Sequence, residues 1–395
     1  MKIAIIIERA DVSLGGAERS VFEMVEAVSK TGIEVEILAA QGREDTRNIH
    51  VLCGDNHSKR TGFFTFARAI KKHLSENRYN LIHSVLPFSF ADVYQPRGGT
   101  YAEAILRNAE SFQNRSIVFY KKMTAFMNFR RTAFLRAERR LSRDVNGPVV
   151  AALSHYVAEQ FKEHYGTDSR RIKVIPNGVK TDRQINTDQA DRLRRQILAE
   201  ARLKELDEPI LFLFAANNFR LKGLSTLIEA MSQVANLGTE RKCCLVVVGK
   251  DRTYKYRRLV KRLGLPTKNW RIVFLGHVSH IQSVLSITNV AVLPTFYDPS
   301  SRFILESLAA GKPVITTKFN GATDLFVDNR HGKIIDTPQN INSLAEAIRY
   351  FTNTKNIENA SQAIFKDNLK ENISIKRAAR QLINVYESIL QRKGR

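Results

Sequence analysis

Two groups of charged side chains in the second half of the chain have the types and spacing for group-transfer chemistry. Arg220 and Lys222 sit in the short loop Asn217-Asn218-Phe219-Arg220-Leu221-Lys222-Gly223. Two cations between a strand and a helix can neutralise a diphosphate, arginine forking two oxygens and lysine supplying a point charge. The plainer alternative is a solvated helix start, where the helix dipole disfavours cations. Asp298 and Glu306, eight positions apart, frame the loop of a second such unit, LPTFYDPSSRFILESLAAGKPVITT, residues 293–317. They too have a plain alternative, a turn aspartate and a solvated helix glutamate.

The elements that must position these groups are legible. Ile210–Ala215 is an apolar run of strand length ahead of the cationic loop, and Leu224–Val234 has helical spacing behind it. Val290–Leu293 reads as a second buried strand, closed by Pro294. Ser300 or Ser301 can cap a helix over about Arg302–Ala310, with Gly311 as its left-handed stop and Pro313 just beyond. Val314–Thr317 is the next strand. In a parallel sheet such loops gather at the carboxyl ends of the strands, where helix N-termini offer backbone N–H groups to a phosphate or a sugar hydroxyl.

Strand and helix alternate through the rest of the chain as well. Ile3–Ile7, Glu34–Ala39, Asn48–Leu52, Leu81–Ser84, Val149–Leu153 and Ile172–Ile175 read as strands of a first half; Cys243–Val248 and Arg271–Leu275 complete the second. The pattern predicts an α/β fold of two doubly wound, Rossmann-like domains. Pro176-Asn177-Gly178 ends the first at residues 1–178; a charged connector, 179–208, leads to a second domain at 209–372. From about 373 to 395, Ala378, Leu382, Val385, Ile389 and Leu390 recur at helical spacing. In the first domain Gly15-Gly16, between strand and helix, lets a ligand approach the backbone closely. The pair is not GxGxxG, so no dinucleotide fingerprint is present. His83 ends a strand and could face a cleft or be structural. Arg97, flanked by turn-forming Pro96 and Gly98-Gly99, could hold an acceptor phosphate or be merely exposed.

Asp298…Glu306 resembles the paired-acid signature of the retaining glycosyltransferases of family 4, which have the GT-B fold with two domains facing across a cleft. The loop ending Arg220-Leu221-Lys222-Gly223 resembles that family's Arg-x-Lys-Gly loop, in particular as lipopolysaccharide core glucosyltransferases carry it. Gly15-Gly16-Ala17-Glu18-Arg19 is similar to its acceptor-side loop. The resemblance implies a retaining, metal-independent hexosyltransferase, with glucose from UDP-glucose moved to a glycan or lipid-linked acceptor such as lipopolysaccharide core. It implies that Asp298 reaches the donor sugar and Glu306 the ribose, and that Gly276 and His277 bracket the base. Arg220 and Lys222 would meet the diphosphate, with Arg302, Ser301 and Asn217 beside the donor. Gly15, Gly16, Arg19, His83 and Arg97 would line the acceptor side. The terminal helix would cross back to the first domain. The chain departs from the family in having Asp298 in place of the usual glutamate, and Pro-Ser-Ser-Arg where a glycine-containing loop is common. With no Asp-x-Asp motif, Arg220, Lys222 and the Arg302 helix start are expected to replace a metal ion, and no cofactor is expected. A nucleotide-sugar epimerase of the same fold, or a basic membrane- or RNA-associated binding protein without catalysis, are the competing readings.

The charge balance calls for an anionic partner. Lys and Arg number 62 against 39 Asp and Glu, a formal charge of +23. Much of it concentrates in Arg115–Arg143, RSIVFYKKMTAFMNFRRTAFLRAERRLSR, nine cations and one acid, Glu138, interleaved with aromatics. A basic helix with aromatics on another face lies in a membrane interface, or else packs with a solvated basic face. Nucleic acid is the weaker reading because no recognition motif accompanies the charge. Cys53, Cys243 and Cys244 lack metal spacing and point to a reducing compartment. No apolar stretch approaches the roughly 18–20 residues needed to span a bilayer, and Met1–Glu8 reads as a strand rather than a signal peptide. The expectation is a cytoplasmic protein, peripherally held at the inner membrane.

Overall fold

The computed structural model describes residues 1–395 except 12–14, 43–47, 55–60, 183, 239–240, 266, 268 and 395. The chain folds as two units: Met1–Ala109, Gln113–Val179 and Ser374–Arg395 form one, Glu110–Phe112 and Lys180–Ile373 the other. In the first unit the strands are β1 Lys2–Ala10, β2 Glu34–Gly42, β3 Ile49–Val51, β4 Leu81–Ser84, β5 Val93–Tyr94, β6 Val149–Ala152 and β7 Ile172–Val174. Its helices are α1 Gly16–Ser29, α2 Phe63–Glu76, α3 Tyr101–Glu110, α4 Arg115–Met123, α5 Phe129–Arg143 and α6 His155–Tyr165. The sheet order is β3-β2-β1-β4-β5-β6-β7, and every pairing is parallel. A parallel sheet is covered on both faces, so its central strand is continuously apolar. Ile3, Ala4, Ile5 and Ile6 of β1 are fully buried, each isoleucine contributing roughly 1.5–3 kcal/mol. Just before turn-forming Pro96 lies β5, whose two residues are too short for a periodicity to register.

The basic stretch is two helices rather than one. Asn114 caps α4 and Asn128 caps α5, each accepting backbone N–H bonds through its side-chain oxygen, with a 3-10 turn at Thr124–Met127 between them. α5 buries Phe134, Glu138, Leu141 and Ser142, whereas α4 buries none of its side chains. Glu138 is the anchor: its oxygens accept from Tyr94 Oη at 2.7 Å, Tyr165 Oη at 2.6 Å and the Tyr101 amide at 2.7 Å. Burial raises its carboxyl to about 7 in spite of these three donors. A carboxyl raised on folding holds its stabilising contribution in full below the unfolded value near 4.5 and loses it as pH rises through the folded one. The Glu138 contribution to stability should therefore fall by about 3 kcal/mol between pH 4.5 and 8, read as the difference between wild type and Glu138→Gln in urea unfolding, because neutral buried His83 adds stability over part of the same window. A difference that does not change with pH would rule the assignment out.

The second unit has β8 Ile210–Ala215, β9 Cys243–Val248, β10 Trp270–Gly276, β11 Val290–Leu293, β12 Val314–Thr317 and β13 Gly332–Ile335. Around them lie α7 Thr187–Ala201, α8 Leu224–Leu237, α9 Tyr254–Arg262, α10 Ile281–Ile287, α11 Arg302–Ala309, α12 Ile341–Tyr350, α13 Thr354–Lys366 and α14 Leu369–Asn372. The order β10-β9-β8-β11-β12-β13, again all parallel, is that of a dinucleotide-type doubly wound sheet. The stretch 179–208 is more than a connector: α7 buries Ala190, Ile197, Leu198 and Ala201 within this unit.

The last helix, α15 Ile375–Lys393, belongs to the first unit. Ala379, Leu382, Tyr386 and Ile389 pack with Val21, Met24 and Val28 of α1 in one core. The chain passes beside itself where Val179 pairs with Ser374. Gly178 is required there, because a Cβ at this position would lie 2.6 Å from Ile375 Cα.

Candidate active site

β8 and β11 are neighbours in the second sheet although β9 and β10 intervene in sequence. This reversal of strand order opens a crevice at the carboxyl ends of the strands, and it brings the loops after β8 and β11 together. The Phe296 amide donates to Leu221 O at 2.9 Å, fastening one loop to the other. Gly223, which caps α8, has φ 80° and lies so close to Pro294 that a Cβ would meet its carbonyl oxygen at 2.0 Å. Only glycine lets the loops approach to this degree. Their charged groups meet: Lys222 Nζ donates to Asp298 Oδ2 at 2.6 Å and to Tyr297 O at 2.8 Å. Both side chains are largely enclosed, 20% and 15% exposed, so the pair is only weakly screened by solvent.

A residue outside the sequence reading holds the acid loop. Asn320 is fully buried and pairs with Asp298 through backbone. Its side-chain oxygen accepts from the Ser301 amide at 3.2 Å and the Ala322 amide at 3.1 Å, while its amide donates to Thr316 Oγ1 at 2.9 Å. It thereby fixes the Asp298 backbone and the start of α11 together. Ser301, the expected cap, accepts from the Ile304 amide at 3.5 Å. One turn along, Arg302 Nη2 bonds Glu306 Oε1 at 3.2 Å, with the two side chains only 9% and 11% exposed. The Arg302 guanidinium is thus turned along the helix onto Glu306.

The remaining donor-side candidates are more loosely placed. Arg220 is half-buried, its guanidinium 3.8 Å from the Phe112 ring centroid and donating to Ser111 Oγ, both of which group with this unit. Burial lowers its proton affinity, opposed by Tyr256 and Asp251. Asn217 and His277 are exposed. Gly276, at φ 73°, ends β10 and accepts the Gly249 amide at 2.8 Å. Carboxylate, ammonium and helix start together can bind an anionic diphosphate, orient hydroxyl groups and stabilise negative charge on a departing oxygen.

In the first unit the candidates separate. Gly15 caps α1 in extended backbone, Gly16 begins the helix, and Arg19 pairs with Glu23 at 3.2 Å. Arg97 is not a loose cation between glycines: it donates to Ser20 Oγ and Asn177 Oδ1, both at 3.2 Å, tying α1 to the turn that ends this stretch of the unit. His83 is fully buried, with Nδ1 2.5 Å from Tyr386 Oη of α15. Burial, and secondarily Arg97, lower its pKa to about 3, so it is neutral in the packing of the last helix.

Two doubly wound sheets, the second with a lysine–carboxylate pair at its crevice, define the class of fold, and comparison with known proteins gives the family. Residues 14–183 match the Glycosyltransferase Family 4 model and residues 197–371 the Glycosyl transferases group 1 model. The chain belongs to these GT-B glycosyltransferases. The lipopolysaccharide glucosyltransferase WaaG of Escherichia coli strain K12 is 22% identical over 341 residues, 85% of each chain. A crystal structure of WaaG, a glycosyltransferase involved in lipopolysaccharide biosynthesis, superposes with a TM-score of 0.67 at 20% identity, over 99% of this chain and 98% of that one. Sucrose-phosphate synthase from Thermosynechococcus elongatus gives 0.74 at 18% identity, covering 99% of both chains. Anabaena Alr3699/HepE, solved with UDP-glucose, gives 0.69 at 18% identity, over 98% of this chain and all of that one.

Proposed function

We propose that the protein is a retaining hexosyltransferase that takes glucose from UDP-glucose to a glycan or lipid-linked acceptor, such as lipopolysaccharide core, without a metal ion. The observation that carries this reading is the enclosed Lys222–Asp298 pair at the crevice of the second sheet, with Arg302–Glu306 on the helix that follows Asp298. Lys222, with Arg220 and the α11 N-terminus, neutralises the donor diphosphate. Asp298 orients the sugar hydroxyls, and Glu306 holds the ribose. The bond from sugar C1 to the β-phosphate oxygen breaks while the acceptor oxygen bonds C1 on the same face. The departing phosphate accepts the acceptor's proton, so no side-chain base is required. WaaG and HepE support the donor by what they are named for or solved with. Incubation with radiolabelled UDP-glucose in EDTA tests the reading: transfer or slow hydrolysis supports it. A changed sugar would make the protein an epimerase, and an inert complex would make it a binding protein.

The same reading places the enzyme on an anionic membrane through α4 and the turn behind it. No helix among the described residues is long and apolar enough to cross a membrane. Phe119, Tyr120, Met123, Met127 and Phe129 are nonetheless exposed, Phe129 at 93%, beside the exposed Arg115, Lys121, Lys122 and Arg131. An apolar cluster rimmed by cations suits a headgroup region, and each engaged cation contributes about 1 kcal/mol near an anionic surface. Arg130 serves otherwise, bonded to Glu8 at 2.5 Å. Flotation with anionic vesicles should fall steeply with salt, since screening sets in over roughly 8–10 Å. It should be lost on combining Phe129→Ser, Lys121→Gln and Lys122→Gln, with nucleotide affinity unchanged. Equal flotation of wild type and variant would leave the segment a solvated surface.

A further inference from the structure

A separate cluster lies at the outer edge of the first unit's sheet, where Glu36 of β2, His50 of β3 and His73 in the last turn of α2 converge. We propose that Glu36, His50 and His73 form a binding site for a borderline divalent transition metal, zinc foremost, that clasps β2, β3 and α2 together. One ligating atom from each residue lies within 4.8 Å of the other two. His50 Nε2 stands 3.2 Å from Glu36 Oε2, and the two imidazole centroids are 5.1 Å apart. In a tetrahedral zinc site, with bonds of about 2.0–2.2 Å, ligand atoms sit roughly 3.4 Å from one another, within reach of small side-chain rotations. The His50 Nε2 atom is enclosed and makes no hydrogen bond, and it stands beside the Glu36 carboxylate. Two imidazoles and one carboxylate suit zinc, cobalt or nickel and disfavour magnesium and calcium, which take oxygen ligands.

The groups around the cluster are arranged as supports for a ligating carboxylate. Tyr79 Oη donates to Glu36 Oε2 at 2.5 Å, and Lys2 Nζ lies 2.7 Å from Glu36 Oε1. Ligating carboxylates are commonly held by such outer hydrogen bonds. Among the described residues Lys2 is the cation paired with Glu36 that would repel a metal, and it has a second partner, Glu34 Oε1 at 3.4 Å, toward which it can withdraw. His73 Nε2 now lies 2.9 Å from Tyr79 Oη. On loading it exchanges that contact for the metal, while Tyr79 keeps its bond to Glu36. Three protein ligands leave a position for water. This site lies in the first unit, whereas the metal-free transfer chemistry rests on the second, so the two readings stand or fall separately.

The test is thermal unfolding of chelator-stripped full-length protein with zinc chloride, magnesium chloride or calcium chloride, read with no activity assay. Zinc should raise the unfolding temperature by about 3 °C or more at a hundredfold excess over Kd. Magnesium and calcium should leave it unchanged. Cobalt(II) should develop the visible absorption of a four- or five-coordinate ion. His50→Ala and His73→Ala should each abolish both signals, and Glu36→Gln should weaken them by 10-fold or more in apparent affinity. Should the alanine variants fail to fold, His50→Gln and His73→Gln carry the same comparison. No zinc shift in wild type, or a shift that persists in the histidine variants, overturns the site.

Discussion

Lys222→Ala is expected to lower kcat by about 10²–10³-fold, ~2.7–4 kcal/mol of transition-state stabilisation, while leaving the fold intact. In the proposed transfer negative charge grows on the β-phosphate oxygen as the sugar departs, and Lys222 is an enclosed cation bonded to Asp298 in the acid loop. The loop's shape does not depend on the ammonium. Gly223 against Pro294 and the Phe296–Leu221 backbone bond hold it, so circular dichroism should be nearly unchanged, while the unfolding midpoint should fall because Asp298 loses its enclosed counter-charge. On the proposed mechanism, in which the ammonium supplies the charge a metal would otherwise bring, wild-type activity should persist in EDTA. Lys222→Arg should retain part of the activity, keeping the charge while misplacing it by its longer, planar head. Full turnover in the alanine variant, or an EDTA-inhibited wild type restored by magnesium, would remove Lys222 from this role.

The strands were the most legible part of the chain for a physical reason. Strands buried on both faces appear as unbroken apolar runs, and Ile210–Ala215, Cys243–Val248 and Val290–Leu293 begin and end where the sequence places them. The α11 cap at Ser301 was equally local, since capping depends on one side chain and a few amides. What could not be read was long-range. Asn320 looks like a turn residue, and its bonds to Ser301 and Thr316 exist only once β12 has paired with β11. Arg97 resembles a mobile cation until Ser20 and Asn177 are brought beside it by the sheet. The break in the basic stretch was visible in principle: Asn114 and Asn128 each precede a helix, but charge and aromatic density obscured the caps. The Glu36–His50–His73 cluster depends on the register of β2 against β3, which no local pattern carries.

Glu306 and Asp298 should fail in different ways, although both are carboxylates of one loop–helix unit. Glu306→Gln is expected to weaken binding of UDP and UDP-glucose alike, by about 10–100-fold, the range for losing a hydrogen bond to a charged group. Its inferred partner, the ribose, is common to every donor carrying that nucleotide, so sugar preference should not change. The helix itself should survive, because glutamine keeps an oxygen for Arg302, now 3.2 Å from Glu306 Oε1. Asp298→Asn removes the counter-charge of Lys222 at 2.6 Å but preserves side-chain shape. The ammonium is then drawn more strongly to the donor phosphates in ground and transition states alike, which does not raise kcat. The sugar meanwhile loses the carboxylate that orients its hydroxyls. Turnover should drop and discrimination between UDP-glucose and its epimers should narrow, with UDP affinity held or raised. Calorimetry with UDP separates the two variants without an acceptor, and kcat with a panel of UDP-sugars supplies the other axis. The assignment requires a binding defect from Glu306→Gln and a turnover defect from Asp298→Asn; interchangeable profiles would mean that the two acids act as a single electrostatic unit, with neither reserved for the ribose.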